Sequence, residues 1–368
     1  MNSPQFVHAA VSLTPSAGVV QQMRDEALAA SELGISWTVL LVRGESARRQ
    51  AGRWANAARY LLLRARFYFQ VVRLSRAGDV VVLRHSVGDP LQYVATLFMR
   101  PYYTVHHTME EDELAALGLP WSRLQLALER TLGRRTVARA RGLVCVTGEI
   151  GQHQKERCDI GNDTPVFVYP NGIRLDFDLK PVDERGSRPE VVFVASSFFP
   201  WHGLEPLIDS LIASKDDGIL HLVGQVPTDI EEKVKYVSRI RLHGKLEPHQ
   251  LQPLYRRAWL GLSSFSLANT RMREACTLKV REYLSWGLPA YAGHRDAGLP
   301  DQFAYFRQGP ADWSRILATA HEFRSASREA VVEQARPYID KSALLARLHA
   351  SLAASHVGAR ARSPASGD

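Results

Sequence analysis

The sequence has few cysteines and no long apolar run, and both features narrow the class of protein. Its three cysteines, Cys145, Cys158 and Cys276, lack the spacing of metal ligands and are odd in number. We therefore expect free thiols rather than a disulfide framework. No run of about 18 apolar residues occurs, so no membrane-spanning helix is expected. The first residues lack a signal-peptide pattern, which predicts a cytoplasmic protein.

The composition is otherwise that of an ordinary globular protein with an excess of basic residues. Apolar residues make up 45% of the 368 residues and charged residues 23%, and this length suits two domains. Lysine and arginine total 46 against 38 acidic residues, which gives a formal net charge of +8. This balance favours an anionic partner. No known nucleic-acid-binding motif accompanies the charge, so we do not expect nucleic acid to be that partner.

Strand-like and helical patterns alternate along both halves of the chain. Alternation of this kind predicts an α/β protein with two doubly wound parallel sheets. The strands predicted for the first half are Phe6–Ser12, Trp37–Val42, Asp79–Arg84, Tyr102–His107, Gly142–Thr147 and Pro165–Tyr169. Those predicted for the second half are Glu190–Ala195, Ile219–Val223, Ile240–His243, Leu260–Ser264 and Leu288–Ala292.

The stretch from residue 272 to residue 293 has the pattern of a ligand-binding loop, helix and strand. Thr277 is placed to cap a helix that begins at Leu278 and that Gly287 ends. The backbone N–H groups of Leu278, Lys279 and Val280 would then be unpaired donors at the positive end of the helix dipole. With the charge of Lys279 added, this helix start suits a phosphate or diphosphate.

Two carboxylates, Glu274 and Glu282, flank this helix start with the spacing Glu-x7-Glu. A carboxylate can accept hydrogen bonds from two neighbouring hydroxyls. One on each side of a diphosphate therefore suits a nucleotide-sugar, with one hydroxyl pair on the ribose and another on the sugar. The alternative is an ordinary solvated helix whose Lys and Glu face water.

Residues 275–289 resemble the donor-binding signature of the family 4 type of GT-B glycosyltransferases, the retaining hexosyltransferases. The shared pattern is Ala-Cys-x-Leu-Lys-x-Arg-Glu-Tyr-Leu-x-x-Gly-Leu-Pro. The resemblance implies that Glu282 binds the ribose, that Glu274 meets the hydroxyls of the transferred sugar, and that the backbone after Thr277 meets the diphosphate. It also implies a GT-B fold, in which two Rossmann-like domains face each other across a cleft.

Two elements of the first half resemble further parts of the family pattern. The small-residue loop that ends at Gly18 would face the donor phosphates, although a plain turn explains it almost as well. Tyr102–His107 resembles the Thr-Val-His element, whose histidine contacts the transferred sugar or its acceptor. His106 matches that position better than His107. The alternative is a strand-end histidine satisfied by a neighbouring acid.

The sequence departs from the family where an Arg and a Lys usually bind the leaving diphosphate. Ser196 stands in place of the Arg and His202 in place of the Lys. Cations at this point should stabilise the charge that builds on the leaving group. We therefore expect Lys279 and Arg281 to take over, assisted by a protonated His202 and by Arg271 or Arg273, or else a reduced or absent activity.

The resemblance also implies the domain boundaries. Pro170-Asn171-Gly172 resembles the interdomain hinge, which gives an acceptor-binding domain over residues 1–170 and a nucleotide-sugar-binding domain over 171–335. Residues 336–357 are expected to form a helix that packs back on the first domain. The small, polar residues 358–368 are expected to be disordered.

Residues 46–78 contain eight arginines and no acid, with apolar and aromatic residues interleaved. This pattern predicts a basic amphipathic helix, or a pair of helices, that binds an anionic membrane surface. The arginines expected to meet lipid or acceptor are Arg59, Arg64, Arg66 and Arg73. The alternative is a surface helix whose apolar face packs on the sheet, and both roles can hold at once.

The resemblance implies a retaining hexosyltransferase that needs no metal and no cofactor. It would use a nucleotide-sugar and a glycan or lipid-linked glycan acceptor, in bacterial-type synthesis of cell-surface polysaccharide. The protein is expected to be a peripheral membrane protein at the cytoplasmic, inner face of the cell membrane. The rival hypothesis is a non-catalytic nucleotide-sugar- or glycan-binding protein that retains the fold. The acid and histidine signatures of a related epimerase are not found.

Overall fold

A computed structural model describes residues 4–12, 17–44, 53–117, 122–175, 182–267 and 272–362. The chain divides into two compact units. The first unit comprises Met1–Pro170 with Lys341–Asp368, and the second comprises Asn171–Asp340. No helix among the described residues is long and apolar enough to span a membrane.

The first unit contains a six-stranded parallel sheet. Its strands are β1 (Phe6–Ser12), β2 (Trp37–Arg43), β3 (Val80–Arg84), β4 (Tyr102–His106), β5 (Leu143–Cys145) and β6 (Val166–Val168). They lie in the order β2-β1-β3-β4-β5-β6, with Phe6 opposite both Trp37 and Val80. Because helices cover both faces of a parallel sheet, the interior strands are almost wholly buried. The six strands predicted for this half are confirmed.

Helices follow most of these strands. They are α1 (Ala17–Leu33), α2 (Arg53–Arg76), α3 (Pro90–Thr96), α4 (Glu110–Leu117), α5 (Ser122–Leu128), α6 (Arg134–Ala138) and α7 (Gly148–Cys158). A π-helical turn, Glu129–Gly133, separates α5 from α6. A Cβ added at Gly133 would lie 2.2 Å from Glu129 Oε2, so the missing side chain makes room for this carboxylate.

The second unit contains a second six-stranded parallel sheet and a short two-stranded one. The strands are β7 (Glu190–Ser197), β8 (Ile219–Gln225), β9 (Ile240–Leu242), β10 (Leu260–Leu262), β11 (Glu274–Ala275), β12 (Ala290–Ala292), β13 (Arg295–Asp296) and β14 (Phe306–Gln308). The large sheet has the order β14-β12-β10-β7-β8-β9, and β11 pairs with β13. The sequence analysis did not predict β11, β13 or β14. Two of them, β11 and β13, have only two residues each, which is too few to show a periodic pattern.

The helices of the second unit cover its large sheet. They are α8 (Leu204–Ala213), α9 (Thr228–Val234), α10 (Pro248–Arg257), α11 (Leu278–Ser285), α12 (Trp313–Glu322) and α13 (Arg328–Ile339). α11 lies close to β10, because Gly261 leaves space for the ring of Tyr283. The Tyr283 hydroxyl donates to the Leu262 carbonyl at 3.0 Å and fixes the helix on the sheet. α11 ends before Gly287, which has a φ of 67°, as predicted.

The last helix, α14 (Lys341–Arg362), belongs to the first unit. Its leucines, among them Leu345 and Leu348, pack in one core with Phe6 and Trp37. The sequence indicated one helix over 336–357. Instead, the extended backbone of Asp340 separates α13 from α14, and α14 continues to Arg362. Residues 363–368 of the expected disordered tail lie outside the described residues.

Candidate functional site

The start of α11 lies at the carboxyl end of β10. Thr277 occupies the N-cap position, but its hydroxyl does not cap the helix. It lies 3.1 Å from the hydroxyl of Ser263, directly after β10, so it ties the helix start to the sheet edge. The first-turn N–H groups of Leu278, Lys279 and Val280 have no acceptor within the helix, because such bonds begin one turn later.

Lys279 lies half-buried in the first turn of α11, with its Nζ 5.4 Å from the centroid of the Phe193 ring. Burial lowers the pKa of Lys279 to about 8, and the negative charge of Glu282 opposes this shift. Near neutral pH the side chain is therefore still an ammonium group. Removed from bulk water, this charge attracts an anion more strongly than an exposed lysine would.

Ser196 lies at the end of the neighbouring strand β7, and His202 follows that strand. The His202 ring is 6.1 Å from the Phe193 ring, and its Nδ1 accepts the Phe199 backbone N–H at 2.9 Å. Burial, with the charge of Lys279 added, lowers the pKa of His202 to about 3. The expected protonated His202 is thus wrong, and the residue is a neutral imidazole that holds its own loop. Ser196 is exposed at the end of β7.

Glu282 lies one turn into α11 and is half-buried. The hydroxyl of Tyr255, on α10, donates to its Oε2 at 3.4 Å. Burial raises the pKa of Glu282, while this hydrogen bond and the charge of Lys279 work against the rise. The carboxylate is therefore oriented by a neighbouring helix, which its sequence position did not reveal.

Glu274 lies in β11 and is buried. Nη1 of Arg295, its register partner in β13, donates to Glu274 Oε2 at 2.7 Å. The same guanidinium donates to Asp301 at 2.7 Å through Nε. Arg295 therefore orients the carboxylate. Sequence reasoning missed Arg295 because the short strand that carries it gave no signal.

Arg281 does not take over the binding of a diphosphate, contrary to expectation. Its guanidinium is fully buried and forms a bidentate ion pair with Asp296. Arg273 is exposed, and Arg271 lies outside the described residues. Of the predicted cations in the described residues, Lys279 is therefore the one that lies in the first turn of α11 without such a buried ion pair.

The second unit thus contains most of the predicted site residues, on β7, on β11, on α11 and in the segments before α8 and α11. They are Ser196, His202, Glu274, Thr277–Val280 and Glu282. The other candidates belong to the first unit. Gly18 lies in the first turn of α1, and residues 13–16 of its loop lie outside the described residues.

His106 ends β4 as predicted, but it is fully buried. Its Nδ1 lies 2.6 Å from Glu110 and its Nε2 lies 3.0 Å from the Thr104 hydroxyl, so both ring nitrogens are occupied. His107 is only partly buried, and its Nε2 accepts from Arg84 at 3.0 Å. Desolvation and the charge of Arg84 hold the pKa of His107 well below its usual value. The geometry therefore favours His107 over His106 for contact with a ligand.

His106 belongs to a buried polar network, of which the sequence indicated only the alternative of a neighbouring acid, here Glu110. His85 follows β3, and its ring lies 5.1 Å from that of His106. His85 Nε2 lies 2.9 Å from Glu129 in the π-helical turn, and Arg157 of α7 pairs with the same carboxylate at 2.9 Å. These contacts join the ends of β3 and β4 to three helical segments, which fixes the loop that carries His107.

The arginine-rich stretch forms one long helix, α2, over Arg53–Arg76. Its packing face includes Phe67, Tyr68 and Val71. The opposite face carries a solvent-exposed stripe at alternating spacings of three and four residues. This basic–apolar stripe consists of Arg59, Leu62, Arg66, Phe69, Arg73 and Arg76.

Arg64 is not part of this stripe, contrary to expectation. It is largely buried and pairs with Asp89, the N-cap residue of α3. Residues 46–52 lie outside the described residues, with Arg48 and Arg49 among them.

The two six-stranded parallel sheets and their helices have the GT-B fold. A glycosyltransferase from Rickettsia africae matches with a TM-score of 0.65 and 13% identity, over 97% of this chain and 99% of that one. The lipopolysaccharide outer core galactosyltransferase WaaB matches with a TM-score of 0.60 and 14% identity, over 95% and 99%. HepE from Anabaena, in complex with UDP-glucose, matches with a TM-score of 0.59 and 12% identity, over 95% and 99%. No protein-family model matches the chain, and no curated protein matches it significantly in sequence.

Proposed function

We propose that this protein is a glycosyltransferase that moves a hexose from a nucleotide-sugar to a glycan or lipid-linked glycan, with retention, in the synthesis of cell-surface polysaccharide. The observation that carries the proposal is the arrangement around α11. Its start, with Lys279, lies between the two carboxylates Glu274 and Glu282. The GT-B fold supports the proposal, as does the similarity to HepE, which was solved with UDP-glucose.

In this proposal each part of the donor has its own group in the second unit. The diphosphate binds the N–H groups at the start of α11 and the ammonium of Lys279, since a helix N-terminus and a cation both favour negative charge. The ribose hydroxyls donate to Glu282, which Tyr255 orients. The hydroxyls of the transferred hexose donate to Glu274, which Arg295 holds.

The reaction breaks the bond between C1 of the hexose and the diphosphate oxygen. A new bond forms between C1 and the acceptor oxygen on the same face of the sugar. The acceptor proton moves to an oxygen of the leaving phosphate, so the protein need not supply a strong base. Lys279 and the helix N-terminus stabilise the charge that develops on the diphosphate. The neutral His202 keeps its loop in shape rather than adding charge.

The first unit would bind the acceptor. His107 and its partner Arg84 lie at the carboxyl ends of neighbouring strands, where ligands of α/β sheets usually bind. The buried His106 would act through the network that holds this loop. Gly18, in the first turn of α1, stays a predicted donor contact.

The basic–apolar stripe of α2 supports a peripheral position on an anionic membrane, and we propose the inner face of the cell membrane. Arg59, Arg66 and Arg73 would attract anionic head groups, each contributing about 1 kcal/mol near the surface. Phe69 is 73% exposed, which leaves apolar surface free to enter the interface. A lipid-linked acceptor would be met at the same surface.

Variants of the two carboxylates test the donor site. Glu282→Ala should weaken the binding of a nucleoside diphosphate by about 1.5–3 kcal/mol, because ribose hydroxyls lose a charged acceptor. Glu274→Ala should lower turnover and leave the affinity for the diphosphate unchanged. Glu333→Ala, an exposed glutamate on α13, is the matched control.

Calorimetry with UDP and ADP gives the affinities, and product analysis with a panel of nucleotide-sugars and lipid-linked acceptors gives the activity. Wild-type affinity in both carboxylate variants would refute the donor site. Binding without turnover on any donor would favour the rival, a non-catalytic nucleotide-sugar-binding protein. The neutral residues at positions 196 and 202 are the specific observation in favour of that rival.

A further inference from the structure

His294 lies two residues beyond the end of β12 and is 2% exposed. Its Nδ1 lies 3.0 Å from the backbone carbonyl of Arg295. Because a carbonyl oxygen can only accept, Nδ1 carries the proton of this hydrogen bond. In the neutral ring Nε2 therefore has a lone pair and can only accept. Burial holds the pKa of His294 below its usual value, which keeps the ring neutral.

Within the described residues, Nε2 of His294 is buried and has no hydrogen-bond partner. A buried acceptor without a donor costs about 1–3 kcal/mol, so native proteins rarely keep one. A buried, unpartnered acceptor beside a binding site is explained if the bound ligand supplies the hydrogen-bond donor.

The surroundings of His294 place it beside the proposed donor site. The preceding Gly293 touches the loop after β10, since a Cβ added there would lie 2.6 Å from the Phe265 Cα. The following Arg295 reaches Glu274 at 2.7 Å. The positive charge of Lys279 also acts on the His294 ring. His294 is thus flanked in the chain by a glycine that touches the loop after β10 and by the arginine that holds Glu274, and its ring feels the charge of Lys279.

The chemistry of Nε2 limits what it can bind. A lone pair repels phosphate oxygens, so the diphosphate is excluded. The Nε2 lone pair needs a hydroxyl or N–H donor, and the ribose hydroxyls are already assigned to Glu282. We infer that His294 Nε2 accepts a hydrogen bond from a hydroxyl of the transferred hexose, as a sugar-recognition residue. This inference rests on the proposed function.

The test compares a nucleotide with its sugar conjugate. UDP, UDP-glucose, ADP and ADP-glucose are titrated into wild-type protein, and the pair that binds is used for the variants. His294→Phe fills the ring volume but lacks the acceptor. It should raise the Kd of the nucleotide-sugar about tenfold, as for the loss of one hydrogen bond, and leave the Kd of the nucleotide within about twofold.

Two further measurements separate recognition from structure. His294→Gln places an amide oxygen near the position of Nε2 and should restore much of the affinity for the sugar conjugate. His153→Phe, in the first unit, is the control, since its Nε2 is also buried without a partner. In wild-type protein the nitrogen-15 resonance of His294 Nε2 should shift with UDP-glucose or ADP-glucose and not with the free nucleotide, which tests the contact without any variant.

The outcomes are distinguishable. Equal weakening of nucleotide and nucleotide-sugar by His294→Phe, or an unshifted Nε2 resonance in a saturated complex, overturns the sugar contact and leaves the proposed function standing. Absence of binding of all four compounds to wild-type protein overturns the proposed donor site and this inference with it.

Discussion

Arg281 and Asp296 form a fully buried bidentate ion pair that joins α11 to β13. Arg281 Nη2 donates to Asp296 Oδ1 at 2.6 Å, and Nη1 donates to Oδ2. Arg281 Nε also donates to the Asn171 carbonyl at 3.1 Å, and Asp296 accepts the Gly298 N–H at 3.0 Å. The pair therefore fixes α11, whose start is the candidate phosphate site, relative to the short sheet that carries Glu274.

Arg281→Met should lower the free energy of unfolding by about 3–5 kcal/mol, because it leaves the Asp296 carboxylate buried without a counter-charge. The double variant Arg281→Met with Asp296→Leu should lose less than the sum of the single losses. Arg273→Met, an exposed arginine of the same segment, should change stability by no more than about 0.5 kcal/mol. Urea unfolding measures the wild type, the two single variants of the pair (Arg281→Met and Asp296→Leu), the double variant and Arg273→Met. A stable Arg281→Met variant with weakened nucleotide affinity would instead assign Arg281 to the ligand.

Lys279 should make diphosphate binding depend on pH. Its pKa is lowered to about 8 by burial, so the ammonium is present below pH 8 and is lost as the pH rises above it. Affinity for a nucleoside diphosphate should therefore be constant near pH 7, where the terminal phosphate (second pKa about 6) is already ionised, and fall about tenfold per pH unit well above the pKa of Lys279 in the free protein. Lys279→Arg keeps its charge and should remove this decline, whereas Lys279→Met should bind weakly at every pH. A wild-type affinity that does not change between pH 6 and 10 would contradict the role of Lys279.

His202 should not titrate in the neutral range. With its pKa lowered to about 3, it stays neutral between pH 5 and 8. His202→Asn keeps an acceptor for the Phe199 N–H and should preserve both turnover and its pH profile. His202→Ala leaves this N–H without its partner and should destabilise the fold by about 1–3 kcal/mol.

Below pH 6.5 the unfolded chain takes up a proton on His202 before the folded protein does. Wild-type stability should therefore decline from pH 6.5 towards pH 3 more steeply than that of His202→Asn. The opposite result would be a turnover rate whose pH dependence reports a group with a pKa near 6.5 and that is abolished in His202→Asn. It would support a protonated, charged His202 in the reaction.

Anionic vesicles should bind the basic–apolar stripe of α2. Replacing Arg59, Arg66 and Arg73 by Gln should release the protein at low salt, and 0.5 M salt should weaken wild-type binding because it screens the charges. The melting temperature should change little, since exposed charges contribute little to folding. Arg123, Arg241 and Arg336, also exposed, replaced together by Gln give the same change in net charge as a control.

The apolar part of the stripe has its own test. Leu62→Ser with Phe69→Ser should reduce the residual binding to neutral vesicles, to which the arginines contribute little. Arg64 is left unchanged in all of these variants because its pairing with Asp89 makes it part of the fold. Cosedimentation measures each variant. If the triple-Gln variant still sediments with anionic vesicles, the basic–apolar stripe of α2 is not the docking surface.

The fold class, most of the strands and the start and end of α11 could be predicted from the sequence alone. These features depend on local chemistry. Apolar runs separated by helical patterns produce a doubly wound sheet, and Gly287 ends α11 because it readily adopts a positive φ. The spacing of Glu274 and Glu282 around Lys279 is also local, which is why the candidate donor site could be predicted.

The charge and the exposure of individual residues depend on the tertiary structure and could not be predicted. His202 is neutral because it is buried beside Lys279, although the two lie far apart in the chain. Arg281 faces Asp296, fifteen residues away, instead of a ligand. His106 is buried and Arg64 is paired, because other elements close over them. Burial and partner distance are set by segments remote in sequence, and they determine which side chains remain available to a ligand.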